Sequence, residues 1–161
     1  MNINLVLCEE YDDKTETIIK MFNKIVTNAN KEATFYIMTF VGAERDDTEE
    51  SFTLHYYIMT SKGNSEGKRK GIYVGATGFI SDSLKRKETE KGTMLNEGNT
   101  FAEIKCEDIP FLEEGMYEIE VYKISERVGD KTYDELKKES AKYRREGKLA
   151  SQFFFEVKFP Q

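Results

Sequence analysis

Residues 35–41 read FYIMTFV, and residues 52–58 read FTLHYYI. In both stretches, apolar or β-branched side chains recur at every second position, which is the period of a β-strand whose successive side chains point to opposite faces. Segment 35–41 is apolar at the intervening positions as well, as is typical of a strand covered on both faces. The two stretches therefore predict central strands of a β-rich fold.

The same alternation continues on both sides of these stretches. It is found at residues 3–7, 102–106, 117–121 and 153–159, and at residues 72–80 in a form weakened by Gly75 and Gly78. Many short strands separated by turns, in a chain of 161 residues, are typical of one sandwich domain. We predict a mainly β fold over residues 1–161, a single antiparallel β-sandwich of the immunoglobulin-like or C2-like type with about seven or eight strands.

Residues 14–29 allow two interpretations. Ile18, Phe22 and Ile25 lie at helical spacing, and Asp13 with Glu16 matches a capping box. The same stretch is rich in β-branched residues, which favour a strand. The alternative to a pure sandwich is therefore an α+β fold with an additional helix at 14–29.

A helix is indicated more firmly late in the chain. Thr132 and Glu135 have the spacing of a capping box, and Gly147 is a common type of helix stop. Between them, opposite charges recur at stabilising helical spacings. We predict a mostly solvated helical insertion over residues 127–150, with its helix near 130–147, between the last two strands.

The composition excludes several functional classes. No apolar run approaches the length of about 18 residues that a membrane span requires. Cys8 and Cys106 are the only cysteines, and residues 1–10 lack the features of a signal peptide. These observations predict a cytoplasmic protein with two reduced thiols and no membrane partner.

Catalytic motifs and metal-ligand sets are absent from the sequence. His55 is the only histidine, so the usual tetrahedral metal set cannot form. The acidic residues are expected in loops and on solvent faces of strands, with no buried carboxylate pair. We predict a non-catalytic protein without a cofactor, and the alternative is an enzyme that uses loop carboxylates.

Acidic residues concentrate in two predicted loops. Glu9, Asp12 and Asp13 lie in loop 9–14, and Asp46 and Asp47 lie in loop 43–50. If every predicted strand crosses the domain, these loops share one end of the sandwich. Calcium takes six to eight oxygen ligands, so the five residues are candidate metal ligands of a calcium-binding β-sandwich.

The net charge of −6 opposes direct binding of nucleic acid. Basic clusters at residues 68–70 and 85–87 are expected to be solvated loops. An acidic chain could instead mimic nucleic acid and occupy a basic groove. This alternative, an inhibitor of phage or mobile-element origin, predicts contiguous acidic residues on one face.

Aromatic residues are more numerous than one buried face requires. Tyr36, Phe40, Tyr57 and Phe154 are either covered by the insertion and long loops, or form an exposed patch that binds protein. We take these four residues as the candidate partner-binding residues. The predicted function is a non-catalytic protein-binding module that self-associates or captures a partner protein.

Three short motifs carry a family resemblance. They are LVLCE at residues 5–9, IIKMFNKI at residues 18–25 and GMYEI at residues 115–119. The chain resembles a family of small, uncharacterised bacterial β-sandwich proteins, although Lys20 stands where the family commonly has glycine. The resemblance implies that residues 15–26 form a strand, and it implies no activity.

Overall fold

The structure is a computed structural model that describes residues 2–42, 51–61, 69–80, 99–126 and 129–161. The described strands are β1 (Asn2–Asp12), β2 (Thr17–Phe22), β3 (Lys24–Val26), β4 (Glu32–Gly42), β5 (Ser51–Thr60), β6 (Gly71–Ile80), β7 (Asn99–Pro110), β8 (Gly115–Ile124) and β9 (Lys148–Lys158). Two short helices, α1 (Tyr133–Lys138) and α2 (Ser140–Glu146), lie between β8 and β9.

The strands form two sheets. Sheet A has the order β2-β1-β4-β7, and sheet B has the order β3-β9-β8-β5-β6. Every neighbouring pair is antiparallel except β3 and β9, which are parallel. This arrangement confirms the predicted antiparallel β-sandwich with a helical insertion.

The core lies between the inner faces of the two sheets. Leu7 and Ile37 of sheet A, and Leu54, Ile119 and Phe155 of sheet B, are fully buried in one cluster. Burying a large apolar side chain contributes about 1.5–3 kcal/mol. The alternating apolar positions of both sheets therefore hold the sandwich together.

Residues 14–29 form strands, so the alternative fold with a helix at 14–29 is wrong. The chain runs as β2 at the edge of sheet A and, after Asn23, as β3 at the edge of sheet B. Glu16 and Lys20 have φ angles of 53° and 51°, which a right-handed helix does not allow. The β-branched composition, and not the helical spacing, gives the correct secondary structure here. Ile25 is buried in the core as part of a strand.

The β1–β2 hairpin bends over the outer face of sheet A. Phe101 of β7 is opposite Phe40 of β4, which is opposite Asn4 of β1. In a straight strand Tyr11 would lie about 23 Å beyond Asn4, yet the rings of Tyr11 and Phe101 are 5.7 Å apart. The hairpin therefore folds back after Cys8, and this explains why Cys8 is fully buried on the outer face.

The helical insertion begins as predicted. The Thr132 side chain accepts a hydrogen bond from the backbone of Glu135, whose side chain accepts one from the backbone of Thr132. The predicted single helix is instead two helices that meet at Glu139. The second ends at Gly147, where a Cβ atom would lie 2.6 Å from the carbonyl oxygen of Tyr143, so the site has no room for a side chain.

Candidate functional site

The outer face of sheet B is divided into a covered part and an uncovered part. Helices α1 and α2 lie on the covered part, where the buried residues Leu136 and Tyr143 pack on β5 and β6. Beside them the ends of β8 and β9 remain open to solvent. The two parts carry different chemistry.

Tyr57 belongs to the covered part. Only 5% of the residue is exposed, and its hydroxyl donates a hydrogen bond to the carbonyl oxygen of Ser140 at 2.5 Å. Burial raises the pKa of this hydroxyl. The prediction that Tyr57 contributes to an exposed patch is wrong, because α2 covers this position of β5.

His55 is fully buried beneath the same helices. Its ring stacks on Tyr143 at a centroid distance of 3.9 Å, and Nδ1 lies 3.0 Å from the hydroxyl of Tyr73. Nε2 has no hydrogen-bond partner within the described part of the chain. Burial, together with the charge of Lys131, lowers the pKa of His55 to about 4. The imidazole is therefore neutral at pH 7 and packs as an aromatic ring.

Two carboxylates are buried side by side on β8, contrary to the expectation that no such pair exists. Arg69 donates hydrogen bonds to both Glu118 and Glu120. Glu120, which is 2% exposed, also accepts from the Tyr122 hydroxyl at 2.9 Å and from Arg144 Nε at 3.1 Å. Alternating glutamates suggest a solvated strand face, but here Arg69 and the insertion residue Arg144 cover it.

The charge of Glu120 is fully compensated. Burial alone would raise the pKa of its carboxyl, but the hydrogen bonds from Arg69 and Tyr122 and the charge of Arg144 lower it. Arg144 belongs to α2 and Glu120 to β8, so this pair fastens the insertion to the sheet. The cluster therefore holds the fold together and does not present a poised acid.

The uncovered part of sheet B carries exposed apolar side chains. Phe154 of β9 is 52% exposed and Met116 of β8 is 47% exposed. Phe154 is opposite Glu118, which places Met116 diagonally beside Phe154 on the same face. Val26 of β3 is also exposed and lies opposite Lys158 of β9. We call Phe154 and Met116 the β8–β9 patch.

The candidate residues Tyr36 and Phe40 lie on the outer face of the other sheet. Tyr36 is half-buried, and Phe40 packs on Phe101 at a centroid distance of 6.4 Å. The four predicted partner-binding residues therefore lie on the two opposite outer faces of the sandwich, two on each face. They do not form one patch. Phe101 is a missed surface residue, because it lies on the face of β7 where the alternation of residues 102–106 predicts polar side chains.

The acidic hairpin lies over sheet A. Burial raises the pKa of Tyr11, and the charges of Glu16, Glu103, Asp13 and Asp12 raise it further. These four carboxylates therefore lie near enough to the Tyr11 hydroxyl to interact with it electrostatically. Glu103 was outside the predicted acidic loops, and only the bend of the hairpin brings it to the others.

The candidate calcium ligands do not converge on a calcium site within the described residues. Glu9 is paired with Lys20 at 3.0 Å, and Asp12 caps the turn by accepting a hydrogen bond from the backbone of Lys14. Asp46 and Asp47 lie outside the described residues. No group of three or more potential metal ligands converges in the ranges that the structure describes. The expectation that every predicted strand crosses the domain is wrong, because residues 17–26 form two strands that belong to different sheets.

A cleft of about 500 Å³ opens between the sheets beside β2 and β3. Glu9, Glu32 and Asp108 line it, with Phe22 and Phe35 among its apolar residues. Two of its carboxylates are engaged, because Glu9 pairs with Lys20 and Asp108 accepts a hydrogen bond from Thr34.

Both thiols are poor nucleophiles. Burial raises the pKa of Cys8, and it raises the pKa of Cys106 to about 12. A thiol is reactive as its thiolate, so neither cysteine is activated at neutral pH.

No protein-family model matches this chain, and no curated protein matches its sequence. The resemblance to small bacterial β-sandwich proteins stays a prediction. Among the residues described, no helix is long and apolar enough to cross a membrane.

Proposed function

We propose that this protein is a non-catalytic binding module that self-associates or captures a partner protein. The observation that carries the proposal is the β8–β9 patch, where Phe154 and Met116 stay exposed beside a part of the same sheet that is covered. Aromatic residues and methionine are enriched at protein interfaces. Removing a half-exposed phenylalanine from water contributes about 1–2 kcal/mol of binding free energy.

A cytoplasmic location is part of this proposal. Both cysteines are free and buried, which suits a reducing compartment. The neutral, stacked His55 and the fully compensated Glu120 support the absence of catalysis.

The test compares a substitution in the β8–β9 patch with a matched control substitution outside it. Phe154→Ser should weaken binding at least about tenfold, as judged by light scattering over a concentration series and by capture on immobilised protein. Leu149→Ser is the control, because Leu149 lies on the same strand and is also exposed. If Phe154→Ser leaves both the mass in solution and the captured proteins unchanged, this patch is not the binding surface.

A second candidate function is an inhibitor that mimics nucleic acid, and one observation favours it. Asp12, Asp13, Glu16 and Glu103 all raise the pKa of Tyr11 by their charge, so four carboxylates act on one hydroxyl at the β1–β2 hairpin. The protein should then displace a fluorescent DNA duplex from a basic DNA-binding protein at low salt, measured by anisotropy. Neutralising the four carboxylates to Asn or Gln should abolish displacement, whereas Glu9→Gln with Glu10→Gln should not.

A further inference from the structure

In the part of the chain that the structure describes, β7 is an edge strand of sheet A. It is 12 residues long and hydrogen-bonds to β4 on one side, with no partner strand on the other side among the described strands. Strand β6 approaches it across the core, with Gly75 near Ile104, but pairs only with β5. An unpaired edge of this length is a template for another strand.

The side chains on the outer face of β7 alternate in charge. Phe101, Glu103, Lys105 and Glu107 are all exposed there. In an antiparallel pair of identical strands centred on Ile104, each Glu103 lies directly opposite the Lys105 of the other copy. The same pairing occurs twice, because a two-fold axis relates the strands. Opposite charges at such positions stabilise a sheet.

Three neighbouring registers are less favourable. Centring the pair on Glu103 or on Lys105 places like charges opposite each other, which is destabilising. Centring it on Cys106 brings Asp108 into the paired region, where its φ angle of 48° interrupts the strand. The register centred on Ile104 pairs residues 101–107 without reaching that interruption.

Within one copy, Lys105 already contacts Glu107 at 2.5 Å. In the proposed register Lys105 keeps this neighbour and gains Glu103 of the second copy. The ammonium then lies between two carboxylates.

We propose that two copies of this chain associate through β7, antiparallel about Ile104, so that the two A sheets become one continuous sheet. The proposal deepens the self-association form of the proposed function and rests on it. It uses residues other than the β8–β9 patch.

The test is a charge exchange across the two-fold axis. Light scattering of the wild-type chain should give about twice the chain mass of 18.7 kDa. Glu103→Lys or Lys105→Glu alone places like charges opposite each other twice and should weaken dimerisation at least about tenfold. The double variant restores both pairs in reversed order and should dimerise again.

Glu10→Lys is the matched control, since it makes the same charge change on exposed β1. Circular dichroism melting confirms that each variant is folded. A monomeric wild type at all concentrations, single variants that dimerise normally, or a double variant that stays monomeric would each overturn the β7 dimer. If Phe154→Ser alone abolishes the dimer, self-association stands but uses the β8–β9 patch.

Discussion

The outer face of each sheet is partly covered by another segment of the chain, and different interactions hold the two covering segments in place. On sheet B the insertion is held by buried polar contacts, among them Arg144 with Glu120 and Tyr57 with Ser140. On sheet A the β1–β2 hairpin is held by an aromatic contact between Tyr11 and Phe101. Buried charged contacts are sensitive to pH and lose much free energy when one partner is removed, whereas a contact between aromatic rings does not depend on charge and loses less.

Breaking the charged cover should have the largest effect. Glu120→Ala leaves Arg69 and Arg144 without their shared carboxylate in a buried setting. We expect a loss of about 3–4 kcal/mol in the free energy of unfolding, measured by urea denaturation. Glu103→Ala, on the exposed strand of sheet A, should cost less than about 0.5 kcal/mol. If the two variants lose the same free energy of unfolding, the outer faces of the two sheets do not differ in the way proposed.

Acid should loosen the cover of sheet B through His55. The pKa of His55 is about 4 in the folded protein and about 6.5 in an unfolded chain. Between these values the unfolded chain binds the extra proton, so stability is lost as the pH falls from 6.5 to 4. The loss should approach about 3 kcal/mol.

Urea denaturation at pH 7 and pH 4 measures this effect. His55→Gln removes the titrating group and should show a smaller loss between the two pH values than the wild type. The carboxylates that titrate in this range are common to both proteins. An identical pH dependence would mean that His55 is as easily protonated folded as unfolded.

Removing the aromatic contact of the β1–β2 hairpin should reduce the free energy of unfolding by a smaller amount, and it should also change the reactivity of Cys8. Tyr11→Ser removes the contact with Phe101 and should cost about 1–2 kcal/mol. Because the hairpin shields Cys8, the rate at which a thiol reagent labels this residue should rise several-fold at pH 8. Cys106 faces the core, so Tyr11→Ser should not increase the rate at which it is labelled. The double variant Tyr11→Ser, Cys8→Ser tests this, because Cys106 is its only thiol.

The smallest expected effect lies at the start of the insertion. Thr132→Ala removes the hydrogen bond from the backbone of Glu135 and should cost about 1 kcal/mol. A urea titration followed by circular dichroism measures the loss. Thr15→Ala in the exposed hairpin turn is the comparison, and it should have the weaker effect if the insertion is the better-ordered cover.

Local signals predicted much of the fold. The alternation at residues 35–41 and 52–58 predicts β4 and β5, and the Thr132 capping box predicts the start of α1, because each depends on neighbours in sequence. Residues 14–29 show the limit of such signals, since helical spacing and β-branching coexist there. Only pairing with distant strands decides between them.

The candidate site was less predictable because it depends on which segment covers which face. The alternation of Glu118 and Glu120 is the same whether solvent or a helix lies above β8. The β1–β2 hairpin has positive φ angles at Glu16 and Lys20, and neither position is a glycine that would indicate such a conformation in the sequence. Tyr57 and Phe154 have similar local patterns, and the insertion covers one and leaves the other exposed.

The place of β9 in sheet B has a consequence for synthesis. β9 lies between β3 and β8, and Val26 pairs with Lys158 although 132 residues of chain separate them. Contacts of such long range form slowly. On the ribosome, β3 and β8 emerge before the strand that joins them. Until β9 has emerged, Ile25 and Tyr117 lack the strand that pairs with them, so we expect both side chains to stay exposed in the nascent chain.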